Sequence, residues 1–209
     1  MSDNNQISNN DYSSKNELRL QLYKTLKDKQ VNHIYFYEKR MDFNSLKTLR
    51  DKINTYTYTS KGQTLQDNLL INSNVNPIVI HVHCPGGDID AGISAMKLVH
   101  KCNIPVITVV DGLAASAATF MCMASSLRVI NPHGHMLIHQ LSQSRSLKGK
   151  YLSIEDRYLR IKKYMNMLRK IYRKYTKLNK EQIKKILQKD VYIDANTCLK
   201  YGLVDKIMN

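Results

Sequence analysis

The chain of 209 residues has no tryptophan, four prolines and four cysteines. The cysteines are scattered along it, at Cys84, Cys102, Cys122 and Cys198. They form no Cys-x-x-Cys pair, which argues against a structural zinc site and against a disulfide framework. We therefore expect free thiols in a reducing compartment: the cytoplasm, or the interior of an organelle or host cell.

Long hydrophobic runs are also lacking. No apolar stretch approaches the roughly 18 residues that a membrane-spanning helix needs, so we expect no membrane partner. Residues 1–16 are polar and rich in Asn and Ser, and they lack the apolar centre of a signal peptide. This composition predicts a disordered tail, followed by a single domain over residues 17–209.

Acidic residues are scarce, because 17 Asp and Glu stand against 32 Lys and Arg, a formal net charge of +15. Residues 145–189 hold 16 of the basic residues and only 3 of the acidic ones. Such a segment suits an acidic or nucleic-acid partner, or it forms the solvated face of a long helix. We favour the helix and expect no nucleic-acid partner, because no aromatic platform or phosphate-binding loop accompanies the charge.

What the chain does contain is an alternation of strand-like and helical segments. Apolar and β-branched runs predict strands at 31–37, 77–83, 105–110, 128–130 and 135–139. Helical spacing predicts helices at 18–29, 42–56, 89–102 and 116–126, with a polar loop at 57–76. Strands separated by helices of this length indicate an α/β fold with a largely parallel sheet.

Apolar residues recur every third or fourth position along the basic segment. This seam comprises Ile154, Tyr158, Ile161, Met165, Leu168, Tyr172 and Tyr175. A narrow heptad seam is typical of a helix that meets another helix, and a second copy of the chain is the simplest partner. Packing of this helix along its own domain is the alternative.

A serine amid small residues follows the predicted strand 105–110, in the sequence Gly-Leu-Ala-Ala-Ser-Ala-Ala. If a helix begins at Ser116, its free backbone N–H groups and positive dipole end point towards whatever the hydroxyl attacks. Such an arrangement serves a nucleophile with an oxyanion hole. A routine helix N-cap is the competing interpretation, and the segment taken alone favours it.

A nucleophilic serine needs a base, and an acid that orients the base. His139 ends a strand-like run, a position from which catalytic side chains emerge in an α/β sheet. His81 and His83 share one face of their strand, and we expect them to pack or to line a cleft. His133, His135 and His139 have no carboxylate near them in sequence and no zinc-like spacing, so we expect no metal.

Glycine and aspartate residues supply the remaining candidates. The Gly86-Gly87 pair makes a tight turn, or it brings backbone N–H groups close to a substrate. Asp190 precedes a short extended stretch, Asp194 is placed as the N-cap of a helix at 195–200, and Asp205 is expected at the surface. Taken singly, none of these acids stands out.

Four segments together resemble motifs of the Clp protease proteolytic subunit (ClpP) family. The segments are residues 84–92, 112–117, 136–140 and 190–205. They are similar to that family's Ser-Pro-Gly-Gly…Ala-Gly, Gly-x-Ala-Ala-Ser, Met-Ile-His-Gln and Asp-x-Phe…Tyr-Gly-Leu-Val/Ile-Asp motifs, in the same order. Cys84 stands where the family usually has serine, and Ala117-Ala118 stands where Met-Gly is common.

The resemblance implies a ClpP/crotonase-like ββα superhelix with a protruding long handle helix in the basic region of about 145–189. It implies a Ser-His-Asp peptidase, with Ser116 as the nucleophile, His139 as the general base and then acid, and Asp190 holding the imidazole. The backbone N–H groups of Gly87 and Ala117 would form the oxyanion hole, and no cofactor or metal would be needed.

The resemblance also implies partners. Unfolded polypeptides would be hydrolysed inside a self-compartmentalised homo-oligomer of stacked heptameric rings, fed by an ATP-dependent AAA+ unfoldase. Two other functions remain as alternatives: a catalytically idle ClpP-like subunit of a mixed ring, and a crotonase-type acyl-CoA enzyme. The Ser-His-Asp set favours the peptidase, because an acyl-CoA enzyme of that fold does not need it.

Overall fold

The computed structural model describes residues 9–26, 31–59, 76–142 and 148–209. Within these residues lie seven helices and seven strands. The strands are β1 (Asn32–Tyr37), β2 (Ile78–Cys84), β3 (Val106–Ala115), β4 (Leu127–Ile130), β5 (His135–Leu137), β6 (Ile193–Asp194) and β7 (Lys206–Ile207). The helices are α1 (Asn9–Thr25), α2 (Phe43–Thr59), α3 (Ile89–His100), α4 (Ala118–Met123), α5 (Tyr151–Tyr175), α6 (Lys180–Leu187) and α7 (Ala195–Tyr201).

A parallel sheet forms the centre of the molecule. Strands β1, β2, β3, β4 and β7 lie side by side in that order, each parallel to the next. The first half of β3 pairs with β4, and its last residues pair with β5, also in parallel. Strand β6 then pairs antiparallel with β5. The largely parallel sheet predicted from the sequence is confirmed.

The sheet has an apolar core on each face. The larger core joins the sheet to α2, α3, α4, α5 and α6. On the other face, Val79, Ile107 and Val109 pack against Leu22 of α1. Successive side chains of a strand point to opposite faces, so two cores require apolar residues at nearly every position of β2 and β3. That requirement explains the continuous apolar runs in the sequence.

Helices α1 and α2 extend into segments that were predicted to be irregular. Helix α1 begins at Asn9, so residues 9–16 are helical where a disordered tail was predicted. These residues contain no proline or glycine that would end the helix, and Leu22 anchors it to the sheet. Helix α2 extends to Thr59, three residues into the predicted loop. Residues 1–8 and 60–75, which hold the rest of the predicted tail and loop, lie outside the described residues.

Helix α5, the predicted handle, divides into two halves. Leu168 and Tyr172 of the seam are buried, and Met165 and Tyr175 pack beside them against the core of their own domain. The expectation that the seam meets a second copy of the chain was therefore wrong for this half, where the alternative, packing along its own domain, holds. In the other half, large apolar side chains are exposed: Tyr151, Leu152, Tyr158 and Leu159. No helix in the described part of the chain is long and apolar enough to cross a bilayer.

An ion pair ties the start of β4 to the C-terminal segment. The Arg128 guanidinium donates two hydrogen bonds to the Asp205 carboxylate, at 2.9 and 2.5 Å. A further nitrogen of Arg128 donates to the carbonyl oxygens of Tyr175 and Gly202, at 2.7 and 2.8 Å. The prediction that Asp205 lies at the surface was wrong, because its partner comes from a strand 77 residues earlier.

We predict that Asp205→Asn destabilises the protein by about 3–5 kcal/mol, because it leaves the Arg128 charge buried without a counterion. The matched control is Asp51→Asn, since Asp51 pairs with Lys47 at 3.7 Å but its side chain is 62% exposed. That change should cost less than about 1 kcal/mol. Urea unfolding at pH 7 measures both, and equal losses would contradict the structural role of Asp205.

Candidate active site

Ser116 occupies a strained turn between β3 and α4. Its φ of 53° is the one positive value among the non-glycine residues that the structure describes. Helix α4 begins at Ala118, so the prediction of a helix starting at Ser116 was wrong by two residues. The backbone N–H of Ser116 donates to the Leu137 carbonyl oxygen of β5 at 2.7 Å. A left-handed non-glycine residue is unfavourable by about 1–3 kcal/mol, and it therefore depends on such contacts.

Two glycines allow other backbone segments to approach this turn closely. A Cβ atom added to Gly86 would lie 2.5 Å from the Ala115 carbonyl oxygen and 2.7 Å from the Ser116 Cβ. Gly86 also has a φ of 92°, which side-chain-bearing residues rarely adopt. A Cβ atom added to Gly92 of α3 would lie 2.7 Å from the Ala117 carbonyl oxygen. The loop after β2 and the start of α3 therefore pack directly against the serine turn.

His139 and Asp190 are paired, although they lie 51 residues apart in sequence. The His139 Nδ1 atom is 3.1 Å from Asp190 Oδ1. His139 follows β5, and the next residue, Gln140, donates its backbone N–H to the Leu187 carbonyl oxygen at 2.9 Å. This bond holds the histidine segment against the end of α6, from which the chain runs on to Asp190. The Asp190 side chain is 78% exposed, and that of His139 is 19% exposed.

One cleft of about 220 Å³ brings most of the predicted site residues together. Ser116, Ala117, Gly87 and His139 all line it. Within the described residues, neither the Gly87 nor the Ala117 backbone N–H donates a hydrogen bond, so both are free for a ligand. No hydrogen bond joins Ser116 to His139 in this part of the chain, although they share the cleft.

The handle contributes a wall of the cleft that the sequence analysis missed. Leu168 and Tyr172 of α5 line it together with Phe120 of α4. Tyr172 is buried, and burial raises the pKa of its hydroxyl, which therefore keeps its proton. The only sequence signal was the apolar seam, which indicates that these side chains are buried but not which residues they contact.

Cys84 is a poor candidate for a nucleophile. Burial raises the pKa of its thiol, which disfavours the reactive thiolate.

The other histidine candidates lie elsewhere. His81 packs on the sheet, with Nδ1 2.9 Å from Asp111 Oδ2 and Nε2 3.0 Å from His33 Nδ1. The Tyr37 hydroxyl donates to the same Asp111 oxygen at 2.6 Å, which raises the pKa of Tyr37 to about 12. The parallel register of β1, β2 and β3 assembles this cluster, which sequence reasoning missed. Among the described residues, no three His, Cys, Asp or Glu side chains form a group that could hold a metal ion.

Comparisons with known proteins point in one direction. The family model described as Clp protease matches residues 49–209. The "ATP-dependent Clp protease proteolytic subunit 1" of Chlamydia muridarum is 32% identical over 134 residues, which are 63% of this chain and 70% of the relative. The "ATP-dependent Clp protease proteolytic subunit" of Deinococcus radiodurans is 27% identical over 169 residues, 77% of this chain and 82% of the relative.

A solved structure agrees with the sequence matches. A mutant of ClpP1 from Listeria monocytogenes aligns with a TM-score of 0.69 at 20% identity, covering 92% of this chain and 96% of that one. At this identity the likeness establishes the fold, and the α/β architecture here is the ClpP fold. The family match extends over more than three quarters of the sequence, from within α2 to the last residue. The chain therefore belongs to the Clp protease family.

Proposed function

We propose that this chain is a serine endopeptidase that hydrolyses peptide bonds of unfolded polypeptides. One observation carries the proposal: a single cleft is lined by a serine hydroxyl, two free backbone N–H groups and an imidazole that a carboxylate orients. Acyl transfer by serine needs a nucleophile, a base and a site for the oxyanion. The names of the relatives, proteolytic subunits of an ATP-dependent protease, support the same reaction.

His139 acts as the base in this proposal. Its Nδ1–H donates to Asp190 Oδ1, which leaves Nε2 unprotonated and able to accept the Ser116 proton. Ser116 Oγ then bonds to the carbonyl carbon of the substrate, and the carbonyl oxygen becomes negatively charged. The N–H groups of Gly87 and Ala117 donate to that oxygen. His139 returns the proton to the leaving amine, and water hydrolyses the acyl-enzyme by the same steps in reverse.

The idle-subunit alternative has one observation in its favour. Ser116 and His139 are not hydrogen-bonded to each other in the described residues, and the Asp190 carboxylate is largely exposed. Catalysis requires Ser116 Oγ to come within about 2.6–3.2 Å of His139 Nε2. Such contacts often tighten only when substrate binds. A chemical test of the serine distinguishes the two functions.

We predict that a fluorophosphonate probe labels the wild-type protein at Ser116 and that Ser116→Ala abolishes the labelling. His139→Ala should reduce both labelling and peptide hydrolysis by at least about 10⁴-fold, because the serine then has no base. Intact-mass spectrometry measures the labelling, and a fluorogenic peptide measures the hydrolysis.

Two matched controls accompany this test. Ser153→Ala removes an exposed serine of α5, and His133→Ala removes an exposed histidine of the turn before β5; both variants should label like the wild type. An assembled wild type that the probe does not label would exclude the peptidase and favour the idle subunit.

We also propose that the protein works as a self-compartmentalised homo-oligomer, supplied with unfolded chains by an ATP-dependent unfoldase. The first half of α5 supports the first part, since it exposes four large apolar side chains to water in the single chain. The words "ATP-dependent" in the names of the relatives support the second part.

We predict that Tyr158→Ser lowers the mass of the assembly, because it removes an apolar side chain that is 56% exposed in the single chain. Lys163→Ser, also exposed on α5, is the control and should leave the assembly intact. Native mass spectrometry measures both. A wild type that remains a monomer at micromolar concentration would contradict the homo-oligomer.

A further inference from the structure

We propose that Thr119 and Tyr172 are positioning residues for the oxyanion hole, acting through the peptide group between Ser116 and Ala117. The inference rests on the proposed function, because it assigns a task to the Ala117 N–H. Neither residue carries a role in the reaction steps above, and both side chains are fully buried beside the serine turn. Their hydroxyl groups form a chain that ends on the Ser116 backbone.

The Ser116 carbonyl oxygen decides which hydroxyl group is the donor in each of these hydrogen bonds. The Thr119 Oγ1 atom lies 2.6 Å from the Ser116 carbonyl oxygen. A carbonyl oxygen has no proton, so the single Thr119 hydroxyl proton must be donated to it. Thr119 Oγ1 is also 3.1 Å from the Tyr172 hydroxyl oxygen. Since the Thr119 proton is already used, Tyr172 must be the donor in that second bond.

The Ser116 carbonyl and the Ala117 N–H belong to the same planar peptide group. Any hydrogen bond that fixes the carbonyl oxygen therefore also fixes the direction of the N–H. The carbonyl accepts a second bond from the Thr119 backbone N–H at 3.0 Å, so two donors hold it. The Ala117 N–H is at the other end of this peptide group, and Ala117 lines the cleft. The peptide plane is thus set before a substrate arrives, which an oxyanion hole requires.

The same chain strengthens the Ala117 N–H as a donor. Hydrogen bonds in series polarise one another, by about 10–30% per bond. Here the series runs from the Tyr172 hydroxyl through Thr119 and the Ser116 carbonyl to the Ala117 N–H. The bond between Tyr172 and Thr119 is buried, so water does not compete for it. Tyr172 comes from α5, so the handle holds one half of the proposed oxyanion hole.

The experiment removes each hydroxyl while preserving the shape of the side chain. We expect Thr119→Val to lower kcat about tenfold with little change in KM, less than the roughly 100- to 1,000-fold loss from deleting an oxyanion donor itself. Tyr172→Phe should lower kcat less, since Thr119 still donates to the carbonyl. The double variant should match Thr119→Val, because the valine has already broken the chain. Thr119→Ser, which keeps the hydroxyl, should stay near wild type.

Thr108→Val is the matched control for a purely structural role. Thr108 is also buried, and its hydroxyl bonds to the Ser125 hydroxyl at 2.7 Å, away from the cleft. Both valine variants should lose stability, but Thr108→Val should keep kcat. A peptide boronate forms an adduct that places an oxygen in the oxyanion hole. We expect it to bind Thr119→Val about tenfold more weakly than the wild type, because an oxyanion-hole defect should lower boronate affinity and kcat together.

The outcomes separate this inference from the proposed function. If the wild type hydrolyses peptides and Thr119→Val has the kcat and boronate affinity of Thr108→Val, the inference is overturned and the peptidase stands. If the wild type is inactive, the peptidase fails, and crystal structures decide the positioning role. If the Ser116–Ala117 peptide plane is rotated in Thr119→Val relative to the wild type, the positioning role is supported. If the plane is unchanged, the positioning role is overturned.

Discussion

The left-handed backbone at Ser116 is the constraint on which the rest of the site depends. A non-glycine residue keeps a φ of 53° only where its neighbours prevent relaxation. Here β5 accepts the Ser116 N–H, Thr119 donates twice to the carbonyl oxygen, and Gly86 fills the remaining side so closely that even a methyl group would collide. The helix that directly follows the serine and two segments more distant in sequence, β5 and the loop after β2, therefore hold the turn together.

The topology of the sheet explains why the other candidates arrive at the same place. Strands β2, β3 and β5 are parallel, so their carboxyl ends lie at one edge, where functional residues of α/β sheets gather. Gly87, Ser116 and His139 follow these strands in turn. Asp190 reaches the edge by another route, along the segment between α6 and β6, and β6 is antiparallel to β5. The Asp190 side chain is exposed because it lies on a connecting segment at the surface and not at the end of a central strand.

Local patterns in the sequence predicted the parallel sheet, and the resemblance of four segments to the ClpP family implied the site residues, four of which line the cleft. What the sequence missed depends on contacts between distant segments. Strand β3 was predicted to end at 110, but pairing with β5 extends it to Ala115. Asp205 looked exposed until Arg128 was placed beside it. The heptad seam is equally regular along α5, so no local feature indicated that only its second half packs on the domain.

Helix α5 carries the proposed assembly surface and also contacts residues close to both proposed oxyanion donors. Tyr172 reaches the Ala117 peptide through Thr119. About two turns earlier on the same helix, Tyr164 donates to the Asp90 carboxylate, with both oxygens at 2.9 Å, in the first turn of α3 just beyond Gly87. Helix α5 therefore contacts the serine turn through Tyr172 and the first turn of α3 through Tyr164, and it carries exposed apolar side chains towards its other end. The proposed assembly surface and the proposed oxyanion hole thus share one helix.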